Sequence, residues 1–186
     1  MIKRTIGIMA GVLLLGLALL GVGECGYDKI ESIRTIESAT ASIREDYPEV
    51  KSVSPKALRL FQQSGDPVLL VDVRTEEEFA VSCIPEAVHF ETPGELGEHL
   101  LGKVDLPGTV VLYDSLGFRS AEFAEKLQDT MTLRFEHLEG GIFAWANEGL
   151  PLTDPEGEPA SEVHPYNKMW GRLLDPGLRY PLKENE

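Results

Sequence analysis

Thiols are scarce in this sequence. Cys25 and Cys83 are the two cysteines among 186 residues, which excludes a disulfide-rich scaffold and a cysteine-based zinc site. Positive charge is scarce as well: 17 Lys and Arg stand against 31 Asp and Glu, for a net charge of −14. A surface of that sign repels phosphate backbones, so no nucleic-acid partner is expected. It also repels anionic lipid headgroups, so any membrane contact has to be hydrophobic. Internal repeats are absent. With 42% hydrophobic and 26% charged residues, the chain suits one small globular domain with appendages. It is too short for two ordinary domains and too apolar to be disordered throughout.

What is present begins with an apolar run. Lys3 and Arg4 precede residues 6–23, which carry no charged or polar side chain. The core of a signal peptide is usually shorter, roughly 7–15 residues, and a membrane-spanning helix needs about 17–25. Residues 1–23 therefore read as an N-terminal hydrophobic helix, either an uncleaved transmembrane anchor or a signal peptide. Gly21 and Gly23 suit cleavage after Gly23. Cys25 offers a third reading, a lipidated N-terminus, although Glu24 stands where a small residue is needed. In each case Lys3 and Arg4 stay in the cytoplasm and the rest is exported. The expected location is the inner membrane facing the periplasm or cell exterior, or a secreted state if the leader is cleaved. Removing the two leader charges leaves −16 on the exported part.

Residues 24–46 form a stalk or linker. Ile30, Ile33, Ile36 and Ile43 fall mostly at helical spacing, and a solvated linker with one apolar face is the expectation. Ser54-Pro55 starts a helix, with serine as N-cap and proline in the first turn. Leu58 and Phe61 are expected to face inward. Residues 68–73 are a near-continuous apolar run, as in a buried parallel strand. Thr75 to Glu78 form a capping box, and the three glutamates are expected to be a solvated helix start. Further strands are expected at 87–90, 109–113 and 135–138. Helical segments are expected at 95–101, 119–128 and 142–147. Alternation of this kind gives an α/β fold, a parallel sheet flanked by helices, with its working site at the carboxyl ends of the strands. The tail, 153–186, is rich in proline yet carries Tyr166, Met169, Trp170, Leu173 and Leu174. It is expected to pack on the domain.

Several segments together resemble the rhodanese-like domains. They are Leu70 to Arg74 followed by Glu78-Phe79, Cys83 to Ala87, Val110 to Tyr113 with Gly117, Arg119 and Ser120, and His137 to Ile142 with Trp145 and Gly149 to Pro151. The resemblance covers 47–152 and implies a three-layer α/β/α sulfurtransferase fold. In that family a cysteine follows the strand and opens a six-residue loop. The loop N–H groups and the following helix lower its thiol pKa, and the thiolate carries sulfur as a persulfide.

Here the corresponding loop is Asp114, Ser115, Leu116, Gly117, Phe118 and Arg119, followed by Ser120. By the resemblance, Asp114 occupies the cysteine position. A carboxylate cannot carry sulfane sulfur. Its charge would also oppose a substrate anion, by about 4 kcal/mol at 4 Å and an effective dielectric of 20. Asp114 is expected to fold into its own cradle and accept the loop N–H groups. Arg119 either points into the loop or pairs with Asp114 or an acidic neighbour. Asp72 and Arg74 are expected to tie the strand end to nearby loops. Cys83 stands where the family has histidine and is the one alternative thiol. His89, His99, His137 and His164 show no ligand spacing. Asp72 and Asp114 alone match no metal motif, so neither metal nor cofactor is expected. The reading is an exported, membrane-anchored, bacterial-type domain without the catalytic thiol, acting as a binding or regulatory module with an envelope protein partner. The alternative is a sulfurtransferase working through an unexpected residue such as Cys83.

Overall fold

The computed structural model describes residues 33–182 except 66, 102, 104, 105 and 107. The apolar run 6–23, Cys25 and the first part of the 24–46 segment lie outside the described residues. Among the described residues no helix is long and apolar enough to cross a membrane.

In chain order the elements are α1 (Ile36–Asp46), β1 (Lys51–Val53), α2 (Pro55–Ser64), β2 (Val68–Asp72), α3 (Glu76–Val81), β3 (Val88–His89), α4 (Pro93–Leu100), β4 (Thr109–Tyr113), α5 (Phe118–Gln128), β5 (Arg134–Leu138) and α6 (Gly141–Asn147). β6 (Leu152–Thr153) and β7 (Pro159–Ala160) form a small antiparallel pair. The main sheet has the order β1-β5-β4-β2-β3, and all its neighbours pair in parallel.

Helices cover both faces of the sheet, because side chains alternate along each strand. On one face Val111 and Tyr113 of β4 meet Leu58 of α2 and Ile142, Phe143 and Trp145 of α6. On the other face Val110 and Leu112 meet Leu96 and Leu100 of α4 and Phe123, Ala124 and Leu127 of α5. The central strands are thus apolar on both sides, the reason they read as unbroken hydrophobic runs.

Local signals place the helix starts. Ser54 caps α2 by accepting from the Ala57 N–H at 3.3 Å, with Pro55 in the first turn. Thr75 and Thr92 form capping boxes with Glu78 and Glu95 at the starts of α3 and α4.

Two expectations need correction, and one element was not expected. β1 is a strand that three residues of sequence do not reveal. Phe61 is 36% exposed rather than inward-facing, because α2 turns only Pro55 and Leu58 fully into the core. α1 is not a solvated linker: Ala39 and Ile43 are fully buried, and Arg44 pairs with Glu139 at 2.6 Å. Its apolar side chains are spent on the domain itself.

The tail closes over the same face as α6. Val163 and Leu174 are buried, and Trp170, Leu173 and Leu178 pack against that core. Asn147 fixes the tail at two points, donating to the Leu173 carbonyl (2.7 Å) and accepting from the Asp175 N–H (3.0 Å).

Ile43→Ala should therefore behave as a core truncation. A loss of about 3 kcal/mol is expected, the range for buried large-to-small changes, read as a lowered denaturant midpoint at constant slope. A change within about 0.5 kcal/mol would mean that α1 is peripheral.

Candidate functional site

The site lies at the carboxyl end of β4, where the strand passes through residues 114–117 into α5. Asp114 is 4% exposed. Its Oδ1 accepts from the Gly117 N–H at 2.7 Å, the Ser120 hydroxyl at 2.9 Å and the Ser120 N–H at 3.4 Å. Its Oδ2 accepts from the Arg119 N–H at 3.3 Å. One carboxylate thus gathers the converging donors at the start of α5, the groups that a helix N-terminus leaves without partners.

The loop is shaped by close approach. Gly117 has φ 114°, and a Cβ there would lie 3.0 Å from Ile43 Cδ1 and 3.4 Å from His137 Nδ1. Gly141 has φ 55°, and a Cβ there would overlap the Asp114 carbonyl oxygen. This closeness lets the first turn of α6 donate to the loop: Ile142 N–H to Asp114 O at 2.9 Å and Phe143 N–H to Ser115 O at 3.2 Å. Gly140-Gly141 is more than a turn, since it seats the loop backbone.

Arg119 pairs rather than pointing freely into the loop. Its Nη2 donates to Glu78 Oε1 and Oε2 at 2.9 and 2.8 Å, and its Nε lies 3.8 Å from Asp114 Oδ2. The Ser115 hydroxyl also donates to Glu78, at 2.7 Å. Burial alone would raise the pKa of Glu78. Arg119, the Ser115 hydroxyl and Arg74 outweigh it and hold the carboxyl below its ordinary value. A carboxylate held low is a weak base, so the close Ser115–Glu78 pair is a poor nucleophile–base couple.

Glu78 is the residue that sequence reasoning missed. The expected solvated glutamate is 2% exposed and joins α3 to the loop. Its sequence signals, the third place of a capping box and a place with Phe79 in one of the resembling segments, do not mark it as buried. Tyr166 was also unforeseen: its ring lies 5.4 Å from the Arg119 guanidinium carbon. The Trp170 ring of the same tail lies 6.1 Å from that of Phe118. The tail therefore covers Arg119 and Phe118.

Asp72 and Arg74 form a fully buried pair beside this cluster. Arg74 Nη2 donates to Asp72 Oδ2 at 2.6 Å and to the Ser82 carbonyl at 2.5 Å, tying the end of β2 to the end of α3. Tyr113 accepts from the Ile84 N–H at 3.0 Å. Cys83 follows in that segment. It is buried, 3.6 Å from the Thr153 hydroxyl and 3.7 Å from the Asp154 carbonyl. Burial pushes its thiol pKa up, against the opposing Thr153 contact, whereas nucleophilic cysteines need theirs lowered. His137 is 1% exposed, and its Nδ1 has no hydrogen-bond partner. Burial lowers its pKa against the pull of Asp114 and Glu139.

A five-stranded parallel sheet with its loop at this strand end defines the class. The chain belongs to the rhodanese-like domain family, which it matches over residues 54–148. A sulfurtransferase from Allochromatium vinosum is 34% identical over 108 residues, covering 58% of this chain and 99% of that one. The putative sulfurtransferase YtwF of Bacillus subtilis is 32% identical over 103 residues, covering 55% of this chain and 97% of that one. The crystal structure of a thiosulfate sulfurtransferase from Pseudomonas aeruginosa superposes with a TM-score of 0.50 at 23% identity. It covers 60% of this chain and 21% of that one, a likeness of fold alone.

The pKa directions set a pH dependence. Both groups are depressed in the fold, so each contributes stability above its unfolded pKa and loses it as pH falls. The His137 share should begin to fade below about pH 6.5 and the Glu78 share below about pH 4.3. Glu78→Gln should shrink the second limb, to which Glu139 also contributes, and cost about 3 kcal/mol at neutral pH, the low end for breaking a buried pair because Arg119 is partly solvated. Denaturant melts from pH 3 to 8 check this. An unchanged acid limb in Glu78→Gln would contradict the role given to this carboxylate.

Proposed function

We propose that this chain is a rhodanese-like domain that does not carry sulfur in its loop and serves as an exported, membrane-anchored binding or regulatory module. Asp114 stands in the position at which the family resemblance calls for cysteine. One observation carries the reading: the Asp114 carboxylate accepts from Gly117, Arg119 and Ser120, the donors that would otherwise hold a substrate anion. A carboxylate has no sulfur to oxidise to a persulfide, so the first half of a sulfur-transfer cycle has no acceptor there. The charge of Arg119 is spent on Glu78, and Tyr166 covers its guanidinium. The leader supports the anchored location through its length and its flanking Lys3 and Arg4.

The names of the two relatives favour the rival reading, sulfur transfer through another residue. Cys83 is the described thiol, and its burial and raised pKa weigh against it.

The full chain, assayed with thiosulfate and cyanide, should give no thiocyanate above background, and Cys83→Ser should change nothing. Robust thiocyanate production that disappears in Cys83→Ser but survives in Asp114→Asn would overturn the proposal. In Asp114→Cys the loop donors fall to a thiolate. Its alkylation midpoint should lie below the ordinary cysteine value of about 8.5, while Cys83 stays slow.

A further inference from the structure

The net charge of −14 hides a strip of the opposite sign. Residues 164–182 carry Lys168, Arg172 and Arg179 against Asp175 alone. Lys168 and Arg172 are exposed, and neither forms an ion pair among the described residues. Arg179 donates to the Arg172 carbonyl at 3.4 Å and to the Leu174 carbonyl at 2.9 Å, which holds its charge beside Arg172. The repulsion of anionic lipid expected from the whole-chain charge therefore does not apply to this face.

Apolar surface gathers on the same stretch. Of the six large hydrophobic side chains exposed among the described residues, three are Tyr166, Met169 and Tyr180. Tyr166 and Tyr180 flank His164. The Tyr166 N–H donates to His164 Nδ1 at 3.2 Å, and the Tyr180 ring lies 6.4 Å from the imidazole. Asn167 Oδ1 accepts from the Met169 and Trp170 N–H groups at 2.9 and 2.8 Å, in a turn that carries Lys168 and Met169 into solvent. Tyr166 itself holds φ 62°, a left-handed conformation that is costly for a bulky side chain. Aromatic side chains bordered by Lys and Arg are the composition of segments that lie in a membrane interface.

The strip lies where the chain enters the domain. Ile36, the first residue of α1, packs on the same core as Phe118 and Trp170 and lies against Gly140, just beyond β5. Phe118 and Gly140 both sit past the carboxyl ends of strands. Residues 24–35 separate Ile36 from the apolar run, a length that reaches about 40 Å at full extension. An anchored leader keeps this end of the domain near a bilayer, at the high effective concentration of an intramolecular contact.

We propose that Tyr166, Lys168, Met169, Arg172 and Tyr180 dock the domain on an anionic bilayer surface, a step that rests on the anchored reading of the leader. The rings enter the headgroup layer and the two cations meet lipid phosphates. Docking covers the outer side of the Asp114 loop, since Tyr166 lies over Arg119.

The test reconstitutes the full chain in vesicles of equal parts phosphatidylcholine and phosphatidylglycerol with brominated acyl chains, which quench nearby indoles. The chain has two tryptophans, and Trp145 is fully buried, so quenching reports Trp170 beside the strip. Strong quenching is expected. It should vanish in phosphatidylcholine alone, and on raising salt from about 0.1 M to about 1 M, which shortens the screening length from about 10 Å to about 3 Å. Lys168→Gln combined with Arg172→Gln should lower the docking equilibrium about 30-fold. Quenching untouched by salt would mean that the tether alone brings the indole to lipid, and the proposal fails. Carbonate extraction separates the two readings. A chain released from the vesicles sinks the anchored location and this proposal with it. A chain retained but unquenched sinks the proposal alone and leaves the strip to an acidic protein partner.

Discussion

A negative charge at the carboxyl end of β4 is what the loop is built around. N–H groups that converge at a helix start leave positive potential and unpaired donors, and something must accept them. In this chain the Asp114 side chain does so from inside the loop, through Gly117, Arg119 and Ser120. Because the acceptor is covalently attached, the loop is satisfied without a bound anion.

Other parts of the molecule converge on the same few residues. Ile43 of α1 approaches Gly117, and the first turn of α6 donates to the Asp114 and Ser115 carbonyls. Glu78 of α3 holds Arg119 and Ser115. Tyr166 and Trp170 close the outer side. Segments far apart in sequence are thus coupled through one buried polar cluster, whose members strengthen each other where the local dielectric is low. A cluster of this kind favours a single fixed arrangement over an open cavity. That is the physical basis for reading the domain as a module whose loop is already filled.

Legibility of the fold followed the strength of local signals. Strands buried on both faces, β2 and β4, announce themselves as apolar runs, and Ser54 and Thr75 mark helix starts through capping chemistry. β1 was silent because an edge strand of three residues needs only its neighbour β5. Phe61 was misjudged because helical phase alone does not say where a helix end leaves the core. At the site, Asp114 and Arg119 stood out through their place in a resembling motif. Glu78 also fell in a resembling segment, but its burial was not legible, since one member of Glu76-Glu77-Glu78 looks solvated like another until α3 is docked.

The amino-acid order by itself determined the class of fold, the place of the loop and the nature of its first residue, because periodicity, caps and motif order are local properties. The tertiary structure decided which acids are buried. Glu78 and Glu76 sit two residues apart in one short helix, yet one faces Arg119 in the interior and the other reaches solvent beside His89. Burial and pairing of charge depend on what the rest of the chain brings alongside, and no window of neighbouring residues contains that information.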